Sequence, residues 1–257
     1  MRPPPLRPSA APPEPDDGER LAKRLAHLLP CSRSEAEQYI EAGFVTVDGV
    51  VVDTPPFRVR PGQRVELVAN AVLAPLVPVT LLLHKPAGVG ATGPEPEVMR
   101  LLEPRNRATG DLSGIRTLRR HLQRQPCLTP LGPDEAGLIV FSQDHRVARK
   151  LLEDAATLEH EFLVEVAGVV EPALLPRLAR AAAGRSPAQV SIGGQSESGA
   201  TTGLRFALKG YEAGRIARAC AALDLRVIAA RRLRIGRVPL SGMPAGQWRY
   251  LGPSERF

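Results

Sequence analysis

The larger, C-terminal part of the chain alternates between short strand patterns and amphipathic helical patterns. Six segments combine apolar or β-branched residues with flanking turn residues, as strands do: TLLLHKPAG, GLIVFSQD, EFLVEVAG, AQVSIGG, TGLRFALKG and LRVIAARRLRIGRVPL. Helical spacing interrupts them in HRVARKLLEDAA, PALLPRLARAAAG and GRIARACAAL. This mixture predicts an α+β fold built on a mostly antiparallel mixed sheet, in a domain spanning residues 80–253.

A small, separate unit is predicted before that domain. Leu21 and Leu25 recur at helical spacing, and Ser32 followed by Glu35 forms a capping box for a second helix. FVTVDGVVV has the alternation and the Asp-Gly turn of a β-hairpin, and RVRPGQRVELV supplies one more strand. We therefore predict a helix-helix-hairpin domain over residues 18–70.

The segments outside these two domains have a different composition. Seven of the first fifteen residues are proline, so residues 1–17 are predicted to form a disordered tail. Residues 71–79 carry no charge and two prolines, and they are predicted to link the domains.

Charge and cysteine content narrow the functional class. The net charge of +7 and the pI near 9.9 favour a polyanionic partner, of which nucleic acid is the commonest. The three cysteines are far apart and form no CxxC pair, so we expect reduced thiols and no metal site.

No apolar run reaches about 18 residues and no secretory signal is evident, which predicts a cytoplasmic protein without a membrane span. The sequence contains no dinucleotide-binding or P-loop motif, so no nucleotide cofactor is predicted.

Basic residues form two clusters in the sequence. In the small domain the candidates for RNA contact lie on the first helix and at the start of the second: Arg20, Lys23, Arg24, Ser32 and Arg33. A helix N-terminus beside an arginine suits a phosphate, because free N–H groups and the cation act together. A solvated helix face is the alternative interpretation of the same pattern.

The second cluster lies between Leu204 and Val238 and holds nine Lys/Arg against two acids. Together with the lysine of HKPAG, its RNA-contact candidates are Lys85, Arg215, Arg218, Arg231, Arg232 and Arg234. Aromatic residues make up only 4% of the chain, so stacking on many splayed bases is not the expected mode. Recognition of the backbone of structured RNA, with a single base extruded, fits better.

These segments resemble two known families. The small unit resembles the RNA-binding domain shared with ribosomal protein S4, through RLAKRLAHLLPCSRSEAEQYIEAGFVTVDG and VRPGQRVEL. The remainder resembles the catalytic domain of bacterial rRNA pseudouridine synthases of the RsuA/RluF type. That resemblance rests on LLLHKPAGV, LGPDEAGLIVFSQD, EFLVEVAG and RRLRIGRVPLSGMPAGQWRYL, in the family's order.

The resemblance implies a specific chemistry. Members of the family isomerise uridine to pseudouridine in RNA without a metal or an organic cofactor. An aspartate attacks the flipped-out nucleotide, an arginine keeps that carboxylate charged, and an aromatic residue packs on the base. The implied partner is ribosomal RNA or a precursor ribosomal particle, and we expect the protein to be a monomer.

The family's catalytic motifs are only partly present. Aligning GRLDxDxxGL on Gly137–Leu138 puts Gly132 at the position of the nucleophile and retains the second aspartate as Asp134. The tyrosine of the KxY motif falls on Phe162, which is predicted to stack on the base. The arginine that pairs with the nucleophile falls on Ala217.

Three functional readings follow. The protein is a family member with impaired catalysis that acts by binding RNA, or an active enzyme with a displaced carboxylate, or a non-catalytic ribosome-assembly factor. Asp134 is the first candidate for a displaced carboxylate, followed by Glu135 and Asp111. If the segment is extended, Asp134 would lie about 6–7 Å from residue 132, which is far for a catalytic contact. The alternative interpretation of Asp134 is a turn residue that bonds its own backbone ahead of the buried strand.

Overall fold

The computed structural model describes residues 18–69, 71 and 78–257. The predicted tail and most of the predicted linker lie outside these residues. The chain divides into two compact units: a small N-terminal one, which also includes residues 118–120, and a large C-terminal one.

The small unit consists of two helices and five short strands. The helices are α1 (Leu21–Leu28) and α2 (Arg33–Glu41). The strands are β1 (Glu19–Arg20), β2 (Val45–Val47), β3 (Val50–Val52), β4 (Arg58–Val59) and β5 (Val65–Leu67). They form a three-stranded antiparallel sheet in the order β3-β2-β5 and a separate β1-β4 pair.

Local sequence signals account for this unit. The Ser32 side chain accepts from the Glu35 N–H at 3.2 Å, and the Glu35 carboxylate accepts from the Ser32 N–H at 2.7 Å, which confirms the capping box. Asp48 and Gly49 both have positive φ, as a tight hairpin turn requires. Leu21 and Leu25 are fully buried between the helices and the strands.

The large unit is built on an eight-stranded sheet. Its strands are β6 (Thr80–Lys85), β7 (Glu135–Ser142), β8 (Glu159–Ala167), β9 (Gln189–Gln195), β10 (Thr201–Lys209), β11 (Val227–Ile235), β12 (Val238–Pro239) and β13 (Trp248–Tyr250). The order is β13-β6-β7-β11-β8-β10-β9, with β12 beside β11. Every pairing is antiparallel except that of β7 with β11. The predicted α+β fold with a mostly antiparallel sheet is confirmed.

Helices cover this sheet. They are α4 (His145–Leu152), α5 (Leu175–Ala182) and α6 (Arg215–Ala221), with short 3-10 helices at Glu97–Leu101, Pro104–Asn106 and Pro172–Leu174. A further four-residue helix is α3 (Arg119–Leu122).

Both faces of β6 and β7 are buried, which explains their long apolar runs. In β6, Leu81 and Leu83 join the cluster that contains residues of α5 and α6, whereas Leu82 joins the cluster that contains Leu151 of α4. Neighbouring residues therefore point to opposite faces, and both faces are covered.

The parallel contact between β7 and β11 depends on Gly137. This residue has φ +110° and pairs with Arg232, and a Cβ atom placed on it would collide with the Arg232 backbone. On its other side Arg232 pairs with Phe162 of β8. The close approach of the two backbones thus fixes the start of β7 beside the middle of β11.

We expect Gly137→Ala to lower the free energy of unfolding by more than about 2 kcal/mol, because the methyl group adds a collision to an unfavourable φ. Gly110→Ala is the matched control: this glycine is exposed, has no positive φ and has no atom near its Cβ direction. Thermal unfolding followed by the fluorescence of Trp248, the single tryptophan, measures both variants. Equal melting temperatures would show that the strands can separate at this point without cost.

Candidate active site

The loop that precedes β7 is a tight turn. The Glu135 N–H donates to the Gly132 carbonyl at 3.2 Å, so residues 132–135 form a β-turn and Glu135 becomes the first residue of the strand. Residues 132–135 are therefore not extended, and the turn considered as the alternative for Asp134 is present. Pro and Asp in its centre suit a turn, and the turn brings residue 135, not 134, back towards residue 132.

The Glu135 carboxylate lies where a side chain of residue 132 would extend. A Cβ atom built on Gly132 would lie 3.2 Å from Glu135 Oε2. Oε2 accepts from the Gly132 N–H at 2.7 Å. Oε1 accepts from the Tyr211 hydroxyl and from the Gly214 N–H, the latter at 3.1 Å. The carboxylate is therefore held in place by three donors, two of them backbone groups.

Tyr211 forms the centre of an aromatic cluster. Its ring centroid lies 4.4 Å from that of Phe162 and 6.0 Å from that of His160. Burial, and then the hydrogen bond and charge of Glu135, raise the pKa of Tyr211 far above its usual value. The hydroxyl therefore keeps its proton and acts as a donor to Glu135.

A buried guanidinium group lies behind this cluster. Arg232 is 1% exposed, and its central carbon lies 5.8 Å from the ring centroids of both Phe162 and Tyr211. Its Nε donates to the Leu138 carbonyl at 2.7 Å and its Nη2 to the Thr129 carbonyl. Burial lowers the pKa of Arg232 to about 10, against the opposing effect of the charge on Glu135, so the group stays cationic at neutral pH.

Lys85 holds the turn from the other side. The side chain is fully buried, and Nζ donates to the carbonyls of Pro86 at 3.0 Å, Pro133 at 2.9 Å and Glu135 at 2.6 Å. Burial lowers the pKa of Lys85, while the charges of Glu135 and Asp134 act in the opposite direction. The RNA contact expected for Lys85 is replaced by a structural role, because all three ammonium protons are used inside the protein.

Comparison with known proteins gives this site its context. Residues 19–65 match the S4 domain family. The chain is 27% identical over 239 residues to an uncharacterized RNA pseudouridine synthase of Aquifex aeolicus, covering 92% of this chain and 94% of the other. It is 28% identical over 246 residues to the dual-specificity RNA pseudouridine synthase RluF of Escherichia coli, covering 94% of this chain and 78% of RluF. The chain is a relative of the RNA pseudouridine synthases.

A solved structure supports the same fold. A pseudouridylate synthase superposes with a TM-score of 0.53 at 18% identity and covers 91% of this chain and 96% of the other. The large unit therefore has the pseudouridine synthase fold, and the small unit has the S4 domain, as the sequence resemblance predicted.

The other positions carried over from the synthase family are located as follows. Asp134 is exposed, and no hydrogen bond or ion pair of its side chain occurs among residues 78–257. Asp111 accepts hydrogen bonds from Arg107 at 2.9 Å and from the Tyr250 N–H at 3.1 Å, so its partners differ from those of Glu135. Phe162 is completely buried beneath Tyr211, and its predicted stacking on a base stays a prediction. Ala217 is exposed on α6.

The five arginines predicted from the second cluster to contact RNA have four different environments. Arg232 is buried and therefore, like Lys85, does not make the RNA contact expected of it. Arg234 is bound to Glu159 at 2.6 Å and to Glu161 at 3.0 Å. Arg231 and Arg218 are exposed, and Arg215 donates to backbone carbonyls of residues 182, 209 and 210.

A cavity of about 610 Å³ opens beside Tyr211. Its polar lining is mostly cationic and comprises Arg185, Lys209, Arg215 and Arg218 with Glu212. A volume of this size lies in the range of small-ligand sites. Tyr211 thus both lines a positively charged cavity and contacts the Glu135 carboxylate.

In the S4 domain four of the five predicted RNA contacts are exposed, whereas Arg24 is half-buried and lies 3.8 Å from Glu19. Lys23 lies 3.3 Å from Glu19, and Arg33 lies 3.4 Å from Glu37. Arg20 is exposed and has no ion pair among the described residues. Ser32 is occupied by the capping box, so its hydroxyl serves the helix.

One member of the site was not predicted, and another was not the first candidate. Tyr211 lies in the loop between β10 and α6, where no periodicity marks it, and Glu135 was only a secondary candidate. The available signal was GPDE, a turn pattern that returns its fourth residue to its first. In the described part of the chain, no group of three His, Cys, Asp or Glu residues could hold a metal ion, and no helix is long and apolar enough to cross a membrane.

His160 should couple stability to pH. Burial, followed by the charges of Arg232, Arg215 and Arg234, lowers the pKa of His160 to about 3. The unfolded chain takes up this proton near pH 6.5, so stability is highest above that pH and falls as pH decreases towards 3. Replacing His160 with Gln should reduce the pH slope of the free energy of unfolding by up to about 1.4 kcal/mol per unit between pH 6 and 4.5.

Urea unfolding monitored by Trp248 fluorescence measures this slope. His145→Gln, on the exposed start of α4, is the matched control and should keep the wild-type slope. If His160→Gln also kept that slope, His160 would not be the neutral buried group described here.

Proposed function

We propose that this protein binds ribosomal RNA and converts a uridine in it to pseudouridine. One observation carries the proposal: the Glu135 carboxylate is held against the Tyr211 hydroxyl where a side chain of residue 132 would lie. The buried guanidinium of Arg232 is close to the same tyrosine ring. A carboxylate, an aromatic hydroxyl and a cation are therefore assembled in a pseudouridine synthase fold.

The distribution of charge supports RNA as the substrate. The S4 domain carries exposed Arg20, Lys23 and Arg33, which suit contacts to phosphates. The cationic cavity beside Tyr211 would receive an extruded nucleotide. We assign the base-facing role to Tyr211, with Phe162 packed behind it, because only Tyr211 borders the cavity.

The reaction itself is an isomerisation. The bond between N1 of uracil and C1′ of ribose breaks, a bond from C5 to C1′ forms, and the proton lost from C5 is recovered at N1. Nothing is oxidised or reduced, so the proposed reaction requires no redox cofactor. We further propose that the protein acts as a monomer in the cytoplasm, where ribosomal RNA and its precursor particles occur.

A second function has specific support. Gly132 offers no side chain, and Glu135 is only 5% exposed with its carboxylate satisfied inside the protein. These features favour a protein that holds ribosomal RNA, or a precursor particle, without turnover.

Tritium release from RNA labelled at C5 of uridine distinguishes the two functions. Purified protein is incubated with ribosomal RNA from a strain that lacks it, and a reaction without protein sets the background. We expect release above that background. Salt-sensitive binding of the RNA without any release would instead support the holding function.

The S4 domain should supply part of the RNA affinity. We expect the triple variant Arg20→Ala, Lys23→Ala, Arg33→Ala to weaken binding and to reduce the slope of log K against log salt by about 2–3, since phosphate contacts release counterions. The control removes three exposed cations from the large unit: Arg105, Arg149 and Lys150. Filter binding at several salt concentrations measures the RNA affinity and its salt slope for both triple variants. Equal losses of affinity in the two variants would show that only net charge matters.

A further inference from the structure

Residues 132 and 135 share one volume. A Cβ atom on Gly132 would meet Glu135 Oε2 at 3.2 Å, Cδ at 3.6 Å and Cγ at 3.8 Å, and apart from the two chain neighbours no atom of the described residues is as close. Gly132 is not among the residues with positive φ, so its backbone conformation would accept any residue. What glycine supplies here is space, and the Glu135 side chain fills that space.

The turn explains how a residue three positions later reaches this point. A β-turn brings its first and fourth Cα atoms within about 7 Å, and the longer glutamate side chain spans the rest. The Gly132 N–H then fixes the returning carboxylate at 2.7 Å. The two hydrogen bonds between these residues, one backbone and one side chain, make the arrangement self-supporting.

The two carboxylate oxygens are not equivalent. Oε1 accepts from both the Tyr211 hydroxyl and the Gly214 N–H. Within the described part of the chain Oε2 has a single donor, the Gly132 N–H. Oε2 therefore keeps more lone-pair capacity, and it is also the atom nearest to the place of the missing side chain.

We infer that Glu135 is the catalytic nucleophile of this protein, in place of a carboxylate at residue 132. The inference rests on the proposed uridine isomerisation. Oε2 forms a bond to C1′ while the N1–C1′ electron pair leaves with the uracil. The uracil then bonds to C1′ through C5, the carboxylate leaves unchanged, and the C5 proton passes through solvent to N1.

Asp134 provides the matched control for this role. It is adjacent in sequence and also a carboxylate, yet it is exposed, and its side chain makes no hydrogen bond or ion pair within residues 78–257. Glu135→Gln and Asp134→Asn make the same chemical change one residue apart. Under single-turnover conditions we expect Glu135→Gln to lower tritium release by at least about 1,000-fold and Asp134→Asn to leave it unchanged.

A positional exchange separates chemistry from structural support. Glu135→Ala alone should be inactive, and Gly132→Asp alone should be impaired, because two carboxylates would compete for one volume. The double variant Gly132→Asp, Glu135→Ala returns a single carboxylate to the site from residue 132. We expect the double variant to release tritium at least about tenfold faster than Glu135→Ala. If Glu135 had only a structural role, a carboxylate at residue 132 would not restore tritium release. Trp248 fluorescence melting and RNA filter binding show whether each variant is folded and binds.

The outcomes separate the inference from the proposed function. Release by wild type that persists in folded Glu135→Gln would overturn the role of Glu135 and leave the isomerase function intact. Release by the double variant but not by wild type would show that the site can catalyse and that Glu135 does not. Absence of release from both would overturn the isomerase function and the inference with it.

Discussion

The close approach of Gly137 to the backbone of Arg232 is the contact on which the rest of the site depends. It allows β7 and β11 to pair in parallel within an otherwise antiparallel sheet. Because of this pairing, the first residue of β7, Glu135, lies beside Ala230, and the Arg232 side chain can reach the Leu138 carbonyl. Any side chain at residue 137 would force the strands apart, and the carboxylate and the guanidinium would separate with them.

Three buried charges occur within this small region, and backbone dipoles compensate each of them. Lys85 donates to three carbonyls and Arg232 to two, whereas Glu135 accepts from two backbone N–H groups and one hydroxyl. An isolated buried charge costs several kcal/mol, so each of these side chains would be destabilising without its partners. Lys85 fixes two carbonyls of the turn, those of Pro133 and Glu135, and the turn orients the Glu135 carboxylate. The result is a preorganised site, in which the polar groups are oriented before any substrate arrives.

Much of the fold follows from local sequence patterns, whereas the site does not. The capping box at Ser32, the Asp48–Gly49 hairpin and the six strand segments are short-range signals, and the structure confirms them. Lys85 and Arg232 were expected at the surface because basic residues are usually exposed. Because β6 is buried on both faces, sequence alternation does not tell which face Lys85 enters, and in β11 it does not tell that Arg232 rather than Arg231 is the buried arginine. Tyr211 was missed because it belongs to a loop, and Glu135 was ranked behind Asp134 because Asp134 is nearer to residue 132 in sequence.

The structure also changes the meaning of the two positions at which family residues are missing. Ala217 is exposed on α6, so the absence of arginine there leaves no buried charge unpaired. At residue 132 the absence is compensated in space: Glu135 brings a carboxylate back to the same volume, and Arg232 already supplies a cation nearby. A sequence comparison made position by position sees a lost nucleophile, since it cannot register a side chain that returns through a turn. For this chain the relevant unit is the whole turn, in which a glycine at its first residue and a glutamate at its fourth are two halves of one arrangement.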